Sequence, residues 1–231
     1  MNFPGRIAVM GGGSWATALA KLLLENCEMI TWYMRRDDRI EDFKRLRHNP
    51  AYLTDVHFDV QRIEFSSDIN KVCSECDTLL MVMPSPYFKD HLAKLTVDIS
   101  NKYIVSAVKG IVPDENVLIT DYMIEKYGVH RDHMLVVGGP CHAEEVALSR
   151  LSYLTVGGHD LEHAEKFAAC LASRNTHTID SSICYCFRTC FRIHSSRTNN
   201  RNVHKFLNVC NIFQVAVFRH IHWWMCPVPG I

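Results

Sequence analysis

Residues 6 to 20 read Arg6-Ile7-Ala8-Val9-Met10-Gly11-Gly12-Gly13-Ser14-Trp15-Ala16-Thr17-Ala18-Leu19-Ala20, an apolar run that breaks into glycines and resumes at helical spacing. Gly11, Gly13 and Ala16 fit the G-x-G-x-x-G/A pattern. In that pattern the first glycine allows a tight turn, the second lets backbone approach a pyrophosphate, and the small third residue lets helix pack on strand. A helix N-terminus adds free N–H groups and the positive end of a dipole. The stretch predicts a strand, a turn and a helix through about Leu24, with a dinucleotide at the turn. A plain tight turn is the competing reading.

Working outward, Met29-Ile30-Thr31-Trp32-Tyr33-Met34 predicts a second buried strand, completing a βαβ unit. It ends at Arg35-Arg36, where the fingerprint expects contact with the adenine ribose, about 20 residues on. No acidic residue stands at the strand end to accept from a ribose 2′-OH. Arginine pairs instead with a 2′-phosphate, so Arg35 and Arg36 favour NADPH. Asp37 and Asp38 directly follow and keep NADH open, and the alternative is that both arginines are solvated loop charges.

Strand and helix continue to alternate. Ser66-Ser67-Asp68 predicts an N-cap for a helix through Val72. Thr78 to Met83 is a continuous apolar strand of the kind buried on both faces, stopped by Pro84-Ser85-Pro86. A helix from about Tyr87 to Leu95, a strand from Tyr103 to Val108 and another from Met134 to Val137 follow. Successive strand ends therefore carry Pro84, Lys109 and Gly139, and in an open parallel sheet ligands sit beyond those carboxyl ends. Lys109 is a candidate for holding a phosphate or polarising a carbonyl, against the alternative of a surface lysine at a turn. The expected fold class is α/β, a Rossmann-type doubly wound, mostly parallel sheet over residues 1–180.

Composition bounds the rest. The chain has 231 residues, 48% of them hydrophobic, enough for a core, and a formal net charge of zero. That charge supplies no global field for nucleic acid or a membrane surface, and neither partner is expected. Met1 to Arg6 lacks the pattern of a signal peptide and no run of 18 apolar residues occurs, so a cytoplasmic location is expected. The ten cysteines are expected to be reduced, and Cys73-x-x-Cys76 has no matching second pair, so no metal site is expected. Cys141-His142 invites a nucleophile reading, but adjacent residues rarely aim their side chains at one another. Glu144 and Glu145 are expected in a first helical turn, facing the dipole.

Five ordered motifs carry a family resemblance: Gly11 to Ala20, Asn49-Pro50-Ala51-Tyr52-Leu53, Met83-Pro84-Ser85, Val108-Lys109-Gly110, and Gly139-Pro140-Cys141-His142-Ala143-Glu144-Glu145-Val146-Ala147. Together they resemble the bacterial NAD(P)-dependent glycerol-3-phosphate dehydrogenases. The resemblance implies interconversion of dihydroxyacetone phosphate and sn-glycerol 3-phosphate for glycerophospholipid synthesis. It implies cofactor positions at Gly11, Gly13, Ser14, Trp15, Ala16, Arg35, Arg36, Pro84, Lys109 and Ala143. Lys109, with a catalytic role, Gly139 and Cys141 fall where the family holds its small phosphorylated substrate. Serine or threonine is usual at the Cys141 position, so a hydroxyl gives way to a weaker hydrogen-bonding thiol. Another Rossmann dehydrogenase of the 6-phosphogluconate or ketopantoate reductase type, and a non-catalytic dinucleotide-binding module, stand as alternatives.

The resemblance stops near Asp180. There the family enters a helical substrate domain with a Lys-Asn pair whose lysine carries the catalytic proton. This chain reads Ser181-Ser182-Ile183-Cys184-Tyr185-Cys186-Phe187-Arg188-Thr189-Cys190, and the next lysine is Lys205. All 25 acidic residues precede Ser181. Residues 181–231 are thus expected to be an atypical basic, cysteine-, histidine- and aromatic-rich remnant. Three accounts of it compete: an out-of-frame or wrongly terminated reading; a metal module using Cys184, Cys186, Cys190, Cys210, His220 and His222; or a basic extension with Arg188, Arg192, Arg197, Arg201 and Trp223-Trp224 as contacts. Impaired turnover is expected of this chain, and a homodimer of the family type is not.

Overall fold

The computed structural model describes residues 3–182. β1 (Ile7–Met10) consists of four buried apolar residues, α1 (Ser14–Asn26) follows, and β2 (Ile30–Tyr33) returns parallel to β1. After α2 (Asp37–Leu46) come β3 (Ile63–Ser66), α3 (Ile69–Glu75), β4 (Thr78–Met81), α4 (Phe88–Leu92) and β5 (Tyr103–Ser106). A small hairpin of β6 (Ile111–Val112) and β7 (Val117–Leu118) leads into α5 (Ile119–Tyr127) and β8 (Met134–Gly138). α6 (Ala143–Ala147), β9 (Ser152–Gly158), α7 (Leu161–Leu171) and β10 (Thr176–Ser182) complete the order.

The large sheet has the order β10-β9-β8-β5-β4-β1-β2-β3. Its neighbours are parallel throughout except β8 and β9, which pair antiparallel. The expected doubly wound, mostly parallel fold is present. Successive residues of a strand point to opposite faces, and both faces are buried here. Ile7 and Val9 pack among residues of α1, α2, α6 and α7, while Ala8 and Met10 pack among α3, α4 and α5. This is why the strands read as continuous apolar runs rather than alternating ones.

The helix ends follow local chemistry. Asp68 caps α3 by accepting from the N–H groups of Asn70 and Lys71. Asp160 accepts from the N–H of His163 at the start of α7. The carbonyls at the end of α1 are satisfied from a distance: the Arg62 guanidinium donates to Leu24 O (2.8 Å), Cys27 O (2.6 Å) and Glu28 O (2.8 Å).

Some expected boundaries shift. α3 continues past Val72 to Glu75, and the helix expected over Tyr87 to Leu95 is shorter. Pro84 and Pro86 force a 3-10 turn over Ser85–Tyr87, and α4 then closes with a tighter turn, Leu95 N donating to Leu92 O. β4 and β5 stop two residues before their apolar runs do, although Val82 N still donates to Met10 O and Ala107 N to Met81 O. Among the described residues no helix is long and apolar enough to cross a membrane. The out-of-frame, metal-module and basic-extension readings of the tail fall beyond Ser182, outside the described residues.

At the amino end of the sheet an aromatic and imidazole cluster gathers around His133. Its ring lies 4.3 Å from that of Tyr103, 5.6 Å from His130 and 6.3 Å from His163, and its buried Nδ1 has no hydrogen-bond partner. Burial, with the neighbouring His130 and His163, holds the His133 imidazole below its ordinary pKa, against a weaker pull from Asp132. A depressed histidine favours the neutral form in the fold. Its contribution is therefore present above the ordinary imidazole pKa and is lost as pH falls through the folded value. The thermal midpoint is expected to fall between about pH 7 and pH 5, and His133→Phe, which gives up no hydrogen bond at Nδ1, should make that fall shallower in scanning calorimetry.

Candidate functional site

The chain leaves β1 through Gly11, at φ +134°, a conformation available to glycine and rarely to anything else. A Cβ there would also sit 3.1 Å from Met83 N and 3.2 Å from the Val82 carbonyl carbon. The turn is tied on both sides. Gly11 N donates to Tyr33 O at 3.1 Å, and the buried indole N–H of Trp32 donates to Gly11 O at 2.6 Å.

Asn49 holds the next residues. Its side chain is fully buried, and its amide nitrogen donates to Gly12 O (3.1 Å) and Thr17 Oγ1 (2.8 Å). The Thr17 hydroxyl donates in turn to Gly13 O at 3.0 Å, and Asn49 Oδ1 accepts from Ala51 N at 3.1 Å. A glycine loop of this kind has little side-chain packing of its own, so buried amide contacts fix its course.

Gly13 is the N-cap of α1, and no side chain caps that end. A Cβ on Gly13 would meet nothing within 4 Å among the described residues. The first turn of α1, Ser14 to Ala16, is therefore left without a side-chain cap, beside a space that glycine leaves open. Ala16 is fully buried where α1 packs on the sheet. An anion fits this arrangement: uncapped donors, a positive dipole end and backbone that a side chain would otherwise screen.

The neighbouring strand ends converge on the same edge. Exposed Pro84 follows β4, and a Cβ on Gly110 (φ +113°) would lie 2.9 Å from Ser85 Oγ, so the β4 and β5 ends are in contact. Exposed Lys109 places Nζ 5.4 Å from the centroid of the Trp15 ring, over the start of α1. Beyond β8, Gly139 (φ +156°) lies against β9, where a Cβ would come within 2.3 Å of Tyr153 O and force the backbone apart.

Cys141 is buried; burial pushes its thiol up to about 11, and the nearby Lys109 charge only partly opposes this. The thiol therefore stays protonated near neutrality, which disfavours the nucleophile reading. His142 is exposed and its N–H donates to the Glu145 carboxylate at 3.3 Å, so Glu145 caps α6 while Glu144 is exposed beside it. Ala143 is buried in the first turn of α6, which packs against α1. Lys21 fixes that packing by donating to Ala147 O and Ser149 Oγ, both at 2.7 Å.

Gly11, Gly13, Ser14, Trp15, Ala16, Pro84 and Lys109 thus meet at one edge, and the Lys109 charge reaches Cys141. Arg35 and Arg36 stand apart, at the end of β2 and across β1 and β4 from Lys109. Both are exposed. The Arg36 guanidinium forms a two-point ion pair with Asp38 and holds that carboxyl below its ordinary range, while the Arg35 charge bears on Tyr33 and His91. Burial pushes the Cys73 thiol up to about 12 and the Cys76 thiol upward as well, marking that pair as core. Sequence reasoning gave no role to Trp32 or Asn49. The signal present was Asn49 in a quoted motif; its contact with Gly12 spans 37 residues and is visible only in three dimensions.

The sequence pattern of a family described as NAD-dependent glycerol-3-phosphate dehydrogenase N-terminus matches residues 6–164. A glycerol-3-phosphate dehydrogenase [NAD(P)+] of Lysinibacillus sphaericus is 31% identical over 163 residues, 70% of this chain and 48% of that protein. The Bacillus subtilis protein of the same name is 30% identical, again over 70% of this chain and 47% of its own length. The chain spans about half the length of these relatives. The glycerol-3-phosphate dehydrogenase structure from Coxiella burnetii superposes with a TM-score of 0.68 at 20% identity, covering 78% of this chain and 55% of that one. The Plasmodium falciparum glycerol-3-phosphate dehydrogenase gives 0.68 at 20%, covering 77% and 52%. At that identity the structures establish the fold.

Two glycines are expected to separate fold from ligand. Gly13→Ala should change stability by no more than about 1 kcal/mol and lower dinucleotide affinity tenfold or more. Gly11→Ala should cost stability outright, about 2 kcal/mol or more. Urea unfolding and fluorescence titration of each variant check this.

Proposed function

Since this chain belongs, through its N-terminal domain, to the NAD-dependent glycerol-3-phosphate dehydrogenase family, we propose that residues 1–180 bind NAD(P)H and that the reaction served is interconversion of dihydroxyacetone phosphate and sn-glycerol 3-phosphate. The observation that carries the reading is the glycine turn opening onto an uncapped helix N-terminus, with Lys109 beside it. In the direction of reduction the product supplies glycerophospholipid synthesis.

The nicotinamide would supply the hydride; the protein positions the carbonyl and manages its proton. The N–H groups of Ser14, Trp15 and Ala16 would bind the pyrophosphate, with Gly11 shaping the turn and Gly13 keeping it accessible. Pro84 and Ala143 would border the cofactor where β4 ends and α6 begins. Lys109, exposed and held over Trp15, would act as the catalytic cation, neutralising the substrate phosphate or the alkoxide developing at C2. Gly139 would line the substrate side. Cys141, protonated at neutral pH, would offer a weak hydrogen bond there and no nucleophile.

Arg35 and Arg36 would read the adenine ribose. A 2′-phosphate entering this loop competes with Asp38 for Arg36 and meets Arg35 directly, so the reading favours NADPH. In the family the proton-carrying lysine follows position 180, and residues 181–190 contain no lysine. We therefore expect dinucleotide binding without the full rate of the family in this chain.

Fluorescence titration and an NADPH-oxidation assay with dihydroxyacetone phosphate test both halves. NADPH should bind more tightly than NADH. The double substitution Arg35→Ala and Arg36→Ala should erase that preference, weakening NADPH tenfold or more, as loss of a charge-assisted pair implies, and leaving NADH little changed. Failure to bind either dinucleotide would overturn the proposal. A near-normal rate that Lys109→Ala abolishes would overturn the impairment.

A further inference from the structure

Cys27 and Cys170 lie away from the site, where α1 and α7 end side by side. Cys27 N donates to Leu23 O at 2.7 Å and Cys27 O accepts from Arg62 at 2.6 Å, so its backbone is fixed. Asn26, the residue before it, donates to Cys170 O at 3.0 Å and Ala172 O at 2.7 Å, fixing the end of α7 against it. Both cysteines are free, partly exposed and at the rim of the core, and each thiol bears on the ionisation of the other.

The two sulfurs differ. The Cys170 thiol donates to Lys166 O at 3.3 Å and so keeps its proton. The neighbouring Cys170 thiol first, and the Arg62 charge to a smaller degree, bring the Cys27 thiol down to about 7 against the opposing effect of burial. The nearness of Cys27 and burial push the Cys170 thiol upward. One sulfur is thus substantially thiolate near neutrality while its partner keeps the proton, the division of labour between an attacking and a resolving cysteine.

We propose that Cys27 and Cys170 form a reversible oxidation site for hydrogen peroxide, Cys27 reacting first and Cys170 closing a disulfide. The Cys27 sulfur attacks a peroxide oxygen, an S–O bond forms as the O–O bond breaks, and the departing hydroxide takes a proton to become water. Cys27 is then a sulfenic acid, oxidised by two electrons. The Cys170 sulfur gives up its proton and attacks the Cys27 sulfur; the S–S bond forms, the S–O bond breaks, and hydroxide leaves with that proton as a second water. Two thiols and one peroxide yield one disulfide and two waters. The cross-link joins helix ends that lie at the far end of α1 from its pyrophosphate-facing N-terminus, about 20 Å away at the helical rise, so it acts on stability and leaves dinucleotide binding in place.

The test treats the full chain with hydrogen peroxide, blocks remaining thiols with iodoacetamide and maps peptides without reduction. A Cys27–Cys170 linked pair reversed by dithiothreitol is expected, with the unfolding midpoint raised by ~5 °C or more. In Cys170→Ser, Cys27 should persist as a sulfenic acid that dimedone traps; in Cys27→Ser neither product should form. The proposal is overturned if both cysteines remain as readily alkylated as in the untreated chain, or if dimedone labels Cys170 and spares Cys27. The map of the unsubstituted chain decides the matter even where a variant fails to fold.

Discussion

The site depends on one constraint: the chain must turn sharply between β1 and α1 while the tip of the turn stays bare. Gly11 meets the first demand at φ +134°, pressed against the end of β4. The second needs the turn held without side chains of its own. The Trp32 indole on Gly11 O and the Asn49 amide on Gly12 O and Thr17 Oγ1 do this from outside. Both partners are buried and satisfied, so the loop is fixed by charge-neutral hydrogen bonds in a dry environment, where such bonds are hardest to replace. The uncapped end of α1 is the result.

From that point the sheet distributes chemistry along one edge. The strand order reverses at β1, whose neighbours are β2 on one side and β4 on the other, and the crevice at such a switch is where α/β sheets bind ligands. Toward β2 stand Arg35 and Arg36; toward β4, β5 and β8 stand Pro84, Lys109, Gly139 and Cys141. The two groups share an edge without touching, as two ends of an extended ligand would require. Packing serves this layout. Lys21 clamps α6 onto α1, which sets where the Gly139-Pro140-Cys141 segment lies relative to the glycine turn.

The fold was largely legible in the sequence because its strands are buried on both faces. Ile7 to Met10, Thr78 to Met81 and Tyr103 to Ser106 leave unbroken apolar runs that helices between them punctuate. What escaped reading was of two kinds. α4 is shorter than the apolar spacing through Leu95 suggests, because Pro84 and Pro86 delay its start and a tighter turn ends it early. The antiparallel step, where Thr155 to Gly158 of β9 pairs with Leu135 to Gly138 of β8, carries no sequence signal, since strand direction leaves no mark on residue type. In the site, the glycines and Lys109 announced themselves by position, but Asn49 and Trp32 act through contacts distant in sequence. The ion pair between Arg36 and Asp38 could be suspected from adjacency and needed the helix start at Asp37 to be seen.

The central claim is that the backbone of the glycine turn and the first turn of α1 is itself the anion-binding surface. A ¹⁵N–¹H correlation spectrum recorded while NADPH is added tests it most directly. The account predicts that the amides of Gly13, Ser14, Trp15 and Ala16 move furthest and in step with saturation. Saturable binding that shifts the Arg35 and Arg36 amides while leaving those four in place would contradict it.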